Sequence, residues 1–469
     1  MGSLVFGTGG MRALMGAGAD QINVDTVRAA TQGLAQYVKR GTVFIGYDVR
    51  INSRLFAEEA AQVLAGNGLN VLITKEICPT PLVSFGCRHF HCAAAVMITA
   101  SHNPPEYNGY KVYWSDGSQV VPPHDVGIME EVKKRGEIQR ASLDDPKIRW
   151  IGKEIDQAYF EELDRLALDR PQLPIKIVYT NLHGTGLRLV PTALARRGYT
   201  HLSLVKEQSS FDGHFPAAPH PNPEEESALA LGSQQLLQEE ADVLLATDPD
   251  ADRVAAVIRH QNRAVRFNGH EVACLLLHHI ATILKERGEL SSHAAFVKSF
   301  VTTELARKIA LDFGIACFDV PTGFKYIAQL IREWESNHEH EFLFGAEESL
   351  GYLFRSFVRD KDGISSACLV AEAVERAKRK GRTLLHQLYE FYERYGIHRQ
   401  KLVSITSNKK VAQKEIHLEN GKVIIRPSGT EPKIKIYGEI WKEVKDNLEQ
   451  EIAECDQQLD SIILPYIPQ

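Results

Sequence analysis

Short apolar runs alternating with longer amphipathic stretches constrain this chain more than any other feature. Val43-Phe44-Ile45-Gly46-Tyr47 reads as a buried strand, and the stretch from Ser53 to Asn67 as the helix after it. Val71-Leu72-Ile73-Thr74 and Ala93 to Thr99 are the next strands, and the pattern resumes at Ile175 to Tyr179, Val243 to Ala246 and Ala295 to Lys298. Short, mostly apolar strands alternating with helical segments predict α/β layers. The final stretch differs. Leu402 to Thr406, Glu415 to Leu418, Lys422 to Ile425 and Lys433 to Tyr437 read as strands, closed by one helix from Lys442 to Ser461, an α+β arrangement. Polar or Pro/Gly/Asp-rich breaks fall near 143–147, 211–223 and 261–269. With 469 residues and roughly 150 per domain as a guide, the expected division is three α/β mixed-sheet domains over 1–150, 151–262 and 263–380, then a smaller C-terminal α+β domain over 381–469.

Composition narrows the function classes. Hydrophobic residues at 44% and charged residues at 24% are those of folded chains and exclude collagen-like, disordered and coiled-coil readings. The net charge of −6 provides no basic footprint for nucleic acid, so an anionic ligand must be held by local groups. The apolar stretch Val272 to Leu284 is broken by His278 and His279 and is shorter than the roughly 20 residues of a membrane span. No basic leader precedes an apolar run at the start of the chain. Seven cysteines without a C-x-x-C pair suit a reducing compartment and argue against a disulfide framework or a zinc site. A cytoplasmic globular protein that partners neither nucleic acid nor membrane is expected.

Five loops carry chemistry. Thr99-Ala100-Ser101-His102-Asn103-Pro104 follows a strand, and Pro104-Pro105 disfavours an immediate helix. Asn108-Gly109 is expected to turn the chain into a second strand, Tyr110 to Trp114, which brings Lys111 back behind Ser101. Taken alone, the loop is an ordinary polar loop; it lacks the G-x-S-x-G of a serine hydrolase. Asp248-Pro249-Asp250-Ala251-Asp252-Arg253 follows an apolar strand. Three carboxylates at alternate positions can converge on a hard cation such as Mg²⁺, and crowding them without one leaves strong repulsion. An EF-hand is excluded, because Arg253 and Arg259 stand where Gly and Glu belong. The Asp248/Asp250 pair also matches the D-x-D of aspartyl-nucleophile phosphatases, and a solvated acidic turn is the plain alternative.

Arg426-Pro427-Ser428-Gly429-Thr430-Glu431-Pro432, between two strands, offers a guanidinium fork, two hydroxyls and an approachable N–H, the makings of a phosphate cradle; a hairpin turn would use the same Pro and Gly. Gly345-Ala346-Glu347-Glu348-Ser349-Leu350-Gly351, with Arg359-Asp360-Lys361-Asp362-Gly363 soon after, groups donors and acceptors suited to sugar hydroxyls. Phe6-Gly7-Thr8-Gly9-Gly10-Met11-Arg12 fails the dinucleotide fingerprint, since Arg12 replaces its third Gly.

In this order, T-A-S-H-N-P, D-P-D-A-D-R, G-x-E-E-S and R-P-S-G-T-E-P resemble the α-D-phosphohexomutase superfamily. Phe6 to Arg12, Glu106 to Tyr113, Pro221-Asn222-Pro223-Glu224-Glu225 and Pro321-Thr322-Gly323-Phe324-Lys325 are similar to its bacterial phosphoglucomutase/phosphopentomutase branch. The resemblance implies four domains around a central cleft. It implies that Ser101 is carried as phosphoserine and ligates Mg²⁺ with Asp248, Asp250 and Asp252, with Arg253 and Lys111 flanking the transferred phosphoryl group. Thr322, Gly323, Glu347, Ser349 and Lys361 would face the sugar. Arg426, Ser428, Gly429 and Thr430 would grip the non-reacting phosphate, and Arg12 would line the cleft.

The implied reaction converts glucose 1-phosphate and glucose 6-phosphate through glucose 1,6-bisphosphate, which also serves as activator. A serine hydroxyl needs a base, and Lys111, His102 and Lys361 are the candidates. A pentose 1-phosphate substrate shares the mechanism. A mannose substrate is disfavoured, because Leu350-Gly351-Tyr352 follows Ser349 where the phosphomannomutase type carries a His. A phosphatase using Asp248 and a non-catalytic phosphosugar-binding protein are the readings from other classes.

Overall fold

The computed structural model describes residues 10–134, 136–407, 411–427 and 433–467. Among the described residues, the strands assemble into four sheets. The first contains β1 (Met11–Leu14), β2 (Thr42–Tyr47), β3 (Asn70–Thr74), β4 (Ala94–Ile98), β5 (Tyr107–Trp114) and β6 (Ile148–Ile151), in the order β1-β5-β4-β2-β3-β6. The second contains β7 (Ile177–Thr180), β8 (Leu202–Leu204), β9 (Val243–Thr247), β10 (Val254–His260) and β11 (Arg263–Arg266), in the order β11-β10-β9-β7-β8. The third contains β12 (Ala294–Ser299), β13 (Ala316–Val320), β14 (Glu341–Glu347) and β15 (Gly351–Phe354), in the order β13-β12-β14-β15.

These three sheets are mixed. Parallel strands joined by helices form the body of each, and antiparallel partners lie toward one edge. The central parallel strands β2, β4 and β9 are buried and uncharged, as strands covered on both faces must be. The fourth sheet, of β16 (Ile397–Thr406), β17 (Lys414–Leu418), β18 (Gly421–Pro427) and β19 (Lys433–Lys442), is wholly antiparallel and carries one long helix, Leu448–Ile463. Three α/β units followed by an α+β unit is therefore the observed architecture. An apolar core runs without a break from Phe44 and Phe85 through Tyr159, Leu245 and Leu276 to Phe296 and Phe391, so helices between the sheets are packed from both sides.

Three expectations need correction. Asn108-Gly109 makes no turn: β5 already begins at Tyr107. Gly109 instead permits a close approach, since a Cβ there would meet Thr99 O at 2.5 Å and Met11 O at 2.6 Å. The break at 261–269 contains a tight hairpin at Gln261 and Asn262, both with positive φ, that keeps β11 in the second sheet. The C-terminal helix starts at Leu448, not Lys442. β19 continues through Lys442, which pairs with Ile397, and Asn447 caps the helix by accepting from Gln450 N.

Candidate active site

A parallel strand, a short loop and an antiparallel return strand recur in each of the first three sheets, as β4/β5, β9/β10 and β14/β15. The loops leave the carboxyl ends of their strands, where α/β sheets place ligands. The first loop carries Ser101, the second the three aspartates, and the third follows Glu347.

Ser101 is buried and adopts a left-handed conformation with φ of 53°, which costs a residue with a Cβ about 1–2 kcal/mol. The backbone around it is over-determined. Ser101 N donates to Thr99 Oγ1 at 2.8 Å. Arg50 Nη2 donates to Ser101 O at 2.6 Å and to Asn103 O, while Nη1 donates to Pro104 O at 2.8 Å and Tyr107 O at 3.0 Å. One buried guanidinium thus satisfies four carbonyls of an irregular loop. Burial pushes the Arg50 pKa down to about 10 although Asp48 beside it pulls the other way. Arg50 has no place in the sequence motifs; the only signal was Asp48-Val49-Arg50 directly after an apolar strand.

The Ser101 hydroxyl donates to Asp248 Oδ2 at 2.7 Å and lies 3.2 Å from His102 Nδ1. Asp250 Oδ2 accepts from Lys111 Nζ at 2.7 Å and from Thr80 Oγ1 at 2.7 Å. Asp252 Oδ2 lies 3.2 Å from Lys111 Nζ and 3.2 Å from Lys361 Nζ. Arg253 donates its backbone N–H to Asp248 Oδ1 and its Nη1 to Glu224 Oε1, 2.9 Å away. Glu224, within the Pro221 to Glu225 run, thereby orients Arg253, a role that the motif alone did not indicate. Gly363 has to be glycine here, because a Cβ would meet Arg253 O at 2.6 Å and Ala251 O at 2.8 Å.

The electrostatics of this cluster follow from burial. Asp248 is pushed well above the usual carboxylate range, first by burial and then by Asp250 and Asp252. Burial acts the same way on Asp250, but Lys111 outweighs it and holds that carboxyl below its ordinary value. Burial lowers Lys111 and Lys361, yet the facing aspartates win and keep both ammonium groups above their ordinary values. His102 is held well below its ordinary value by burial and by Arg253 and Arg12.

One carboxylate oxygen from each of Asp248, Asp250 and Asp252 lies within 4.8 Å of the others. Asp250 Oδ1 and Asp252 Oδ1 are buried without a hydrogen-bond partner, at a cost that a bound group would remove. Three hard oxygen donors with orphaned atoms fit a small divalent cation.

The remaining predicted positions lie around this centre. Arg12, on β1, donates from Nη1 to Asn103 Oδ1 at 3.2 Å. Gly323 N donates to Glu347 Oε1 at 2.7 Å, tying the Thr322-Gly323 loop to the end of β14. Gly345 to Glu347 are strand, so the Gly-bounded loop is only Glu348 to Leu350. Glu348 Oε2 accepts from Ser299 Oγ at 2.8 Å; Ser349 is half-buried beside it. Arg426 lies on β18 opposite Lys435 and donates to Tyr437 OH at 2.7 Å. Ser428, Gly429 and Thr430 lie outside the described residues.

Comparison with known proteins agrees with this division. Four phosphoglucomutase/phosphomannomutase family models match: α/β/α domain I over residues 3–139, domain II over 157–261, domain III over 268–395 and the C-terminal domain over 393–454. A protein of Staphylococcus saprophyticus named phosphoglucomutase is 32% identical over 96% of this chain and 93% of its own length. One of Staphylococcus haemolyticus with the same name is 34% identical over 88% of this chain and 76% of its own. The solved structure of a phosphoglucomutase/phosphomannomutase family protein from Burkholderia thailandensis superposes with a TM-score of 0.74 at 17% identity, covering 98% of each chain. The chain belongs to the phosphoglucomutase/phosphomannomutase family.

Proposed function

We propose that this chain is a phosphoglucomutase that interconverts glucose 1-phosphate and glucose 6-phosphate, with Ser101 as the residue that carries the phosphoryl group. The observation behind this reading is the buried Ser101 hydroxyl, 2.7 Å from Asp248 within a triad of carboxylates and flanked by Lys111, Lys361 and Arg253. The names of the staphylococcal relatives support the choice of glucose phosphates.

Asp248, Asp250, Asp252 and Ser101 would hold Mg²⁺, which when bound supplies positive charge to the oxygens of the transferred group. The chain's own residues do the rest. Phosphoserine 101 meets a free sugar hydroxyl, the P–Oγ bond breaks as the new P–O bond forms, the hydroxyl gives up its proton while the freed Ser101 Oγ takes one, and the product is glucose 1,6-bisphosphate. The bisphosphate then presents its other phosphate to Ser101 and the sequence reverses. Phosphoryl transfer relies on positioning and on neutralising charge. Arg253, Lys111 and Lys361 supply that charge from groups already held in place. Because their carboxylate neighbours keep them protonated, the two lysines serve as charge stabilisers. His102, held neutral and 3.2 Å from Ser101 Oγ, is the group that can accept or return a proton there. Thr322, Gly323, Glu347 and Ser349 would read the sugar hydroxyls. Arg426, with Ser428, Gly429 and Thr430, would hold whichever phosphate is not reacting.

Unpaired thiols at all seven cysteines, six of them buried, support a reducing, cytoplasmic setting. Among the described residues, no helix is long and apolar enough to cross a membrane. The test is intact-mass analysis before and after incubation with glucose 1,6-bisphosphate and Mg²⁺, with turnover of glucose 1-phosphate and ribose 1-phosphate measured side by side. One added phosphate on Ser101, absent from Ser101→Ala together with activity, supports the mutase. Full activity in Ser101→Ala shifts the reading to a phosphatase acting through Asp248, and faster turnover of ribose 1-phosphate to a phosphopentomutase.

A further inference from the structure

Five side chains at the junction of the first three sheets form a chain of alternating charge. Lys111 Nζ bridges Asp250 at 2.7 Å and Asp252 at 3.2 Å. Lys361 Nζ continues from the same Asp252 oxygen, at 3.2 Å, to Asp360 Oδ1 at 3.3 Å. Asp360 Oδ1 also accepts from Lys361 N at 2.9 Å. Its other oxygen accepts from Tyr113 OH at 2.9 Å and Gln119 Nε2 at 2.7 Å. Tyr113 lies two positions beyond Lys111 on β5, so both side chains leave the same face of that strand. The chain of contacts therefore closes on itself through the backbone of β5. All seven residues are at least nine-tenths buried, and Asp360 is 1% exposed.

We propose that Asp360 is a positioning residue. It holds the Lys361 ammonium in place against Asp252 and, through Tyr113 and Gln119, ties that placement to the strand that presents Lys111. A lysine stem has four rotatable carbons and a point charge at its tip, so one carboxylate leaves its ammonium free to swing. Two carboxylates on opposite sides leave it one position. Asp360 is suited to be the fixed side, since both of its oxygens are saturated by donors, one from Tyr113 on β5, one from Gln119 and two from Lys361 itself. Its reach into the cluster of Ser101 and the aspartates is through Lys361. The inference rests on the mutase reading only in assigning Lys361 to the phosphoryl-transfer step.

The test is steady-state conversion of glucose 1-phosphate, with Mg²⁺ and glucose 1,6-bisphosphate, by the wild type, Asp360→Asn, Tyr113→Phe and the double variant, each with a thermal melt. Asp360→Asn is expected to lower kcat about 10- to 100-fold while KM stays within about threefold, because a shift of an ångström at a charge-stabilising group has that effect. Tyr113→Phe is expected to lower kcat about threefold, and the double variant to be no slower than Asp360→Asn, since both act on one contact. A folded Asp360→Asn with wild-type kcat, or losses that multiply in the double variant, overturns the proposal. If Asp360→Asn does not fold, Tyr113→Phe and Gln119→Met decide: a lower kcat at unchanged melting temperature supports it, and wild-type kcat in both overturns it. A wild type without turnover counts against the mutase reading alone. The anchor is then read from the melting temperatures of Asp360→Asn, Lys361→Met and their double variant, whose shifts are non-additive if it exists and additive if it does not.

Discussion

The Ser101 hydroxyl reaches Asp248 at 2.7 Å across 147 positions of sequence, and this contact joins the tip of one β-hairpin to the tip of another. Each partner is useless to the proposed chemistry without the other. A serine alone is a poor phosphoryl acceptor, and three buried aspartates alone are a destabilising cluster of charge. Their meeting depends on two separate sheets being packed through helices, so the site is a property of how the domains are assembled. Lys111 on β5 and Lys361 in the loop after β15 complete the charge balance at that seam.

Removing divalent cations should therefore lower stability as well as activity. Ligand binding to the folded state alone adds about 2.7 kcal/mol at 100 times the dissociation constant. Protein stripped with a chelator is expected to melt several degrees lower, and Mg²⁺ to restore both melting temperature and turnover. Identical melts with and without Mg²⁺ would show that the aspartates hold no cation.

Lys111→Met tests the balance from the other side. It removes the ammonium 2.7 Å from Asp250 and leaves Asp252 with Lys361 in place of two lysines, and breaking a buried pair in this way costs about 3–5 kcal/mol. The loss should be largest in chelator and smaller in Mg²⁺, because the added cation offsets the same charges. Denaturant titration in both conditions measures it. An equal loss in both would mean that Lys111 and the cation do not share these carboxylates.

Arg50→Lys addresses the nucleophile loop. A lysine cannot reach four carbonyls at once, and the planar fork that spans Ser101, Asn103, Pro104 and Tyr107 would be lost. Ser101 would then relax from its left-handed conformation, and phosphorylation by glucose 1,6-bisphosphate should slow by about 100-fold, with Ser101 itself unchanged. Rapid-quench measurement of phosphoserine formation checks this. A wild-type rate would reduce Arg50 to a packing residue.

Much of this was legible in the chain. Strands such as Val243–Thr247 are apolar, short and bounded by polar loops, so they announce themselves, and the motifs at their ends are local. What stayed hidden depends on distant partners. Asn108-Gly109 has the composition of a turn, yet its glycine serves a strand packed under Thr99 O and Met11 O, which no local pattern reports. Lys442 looked helical because its alternation ends only in register with Ile397. Arg50, Glu224 and Asp360 act by holding another residue, and a charged side chain next to a motif carries no mark of which carbonyl or cation it will meet.

The seat of the C-terminal domain carries a pH dependence whose sign can be worked out. Glu439, on β19, accepts from Thr303 Oγ1 at 2.5 Å and from Glu304 N at 3.0 Å, with His398 Nδ1 at 3.3 Å and Lys422 Nζ at 3.6 Å. Burial pushes its carboxyl up, but the His398 contact, Lys422 and Thr303 prevail and hold it below the usual range. Glu304 is likewise brought down to about 2, where Lys298 and Lys422 outweigh burial. An unfolded glutamate titrates near about 4.3. A depressed folded value means that the contribution is complete above about pH 5 and is lost as pH falls through that window toward the folded values. Glu439→Gln removes a buried charge that its partners require, and should cost about 3 kcal/mol at pH 7. Its deficit relative to wild type should shrink between pH 5 and about 3, because wild type alone has a proton to gain at this position. Urea unfolding of both proteins at pH 7, 5, 4 and 3 gives the two curves. If they run parallel, Glu439 does not titrate on folding and the seat is held by packing of Val301, Ile424 and Tyr437 instead.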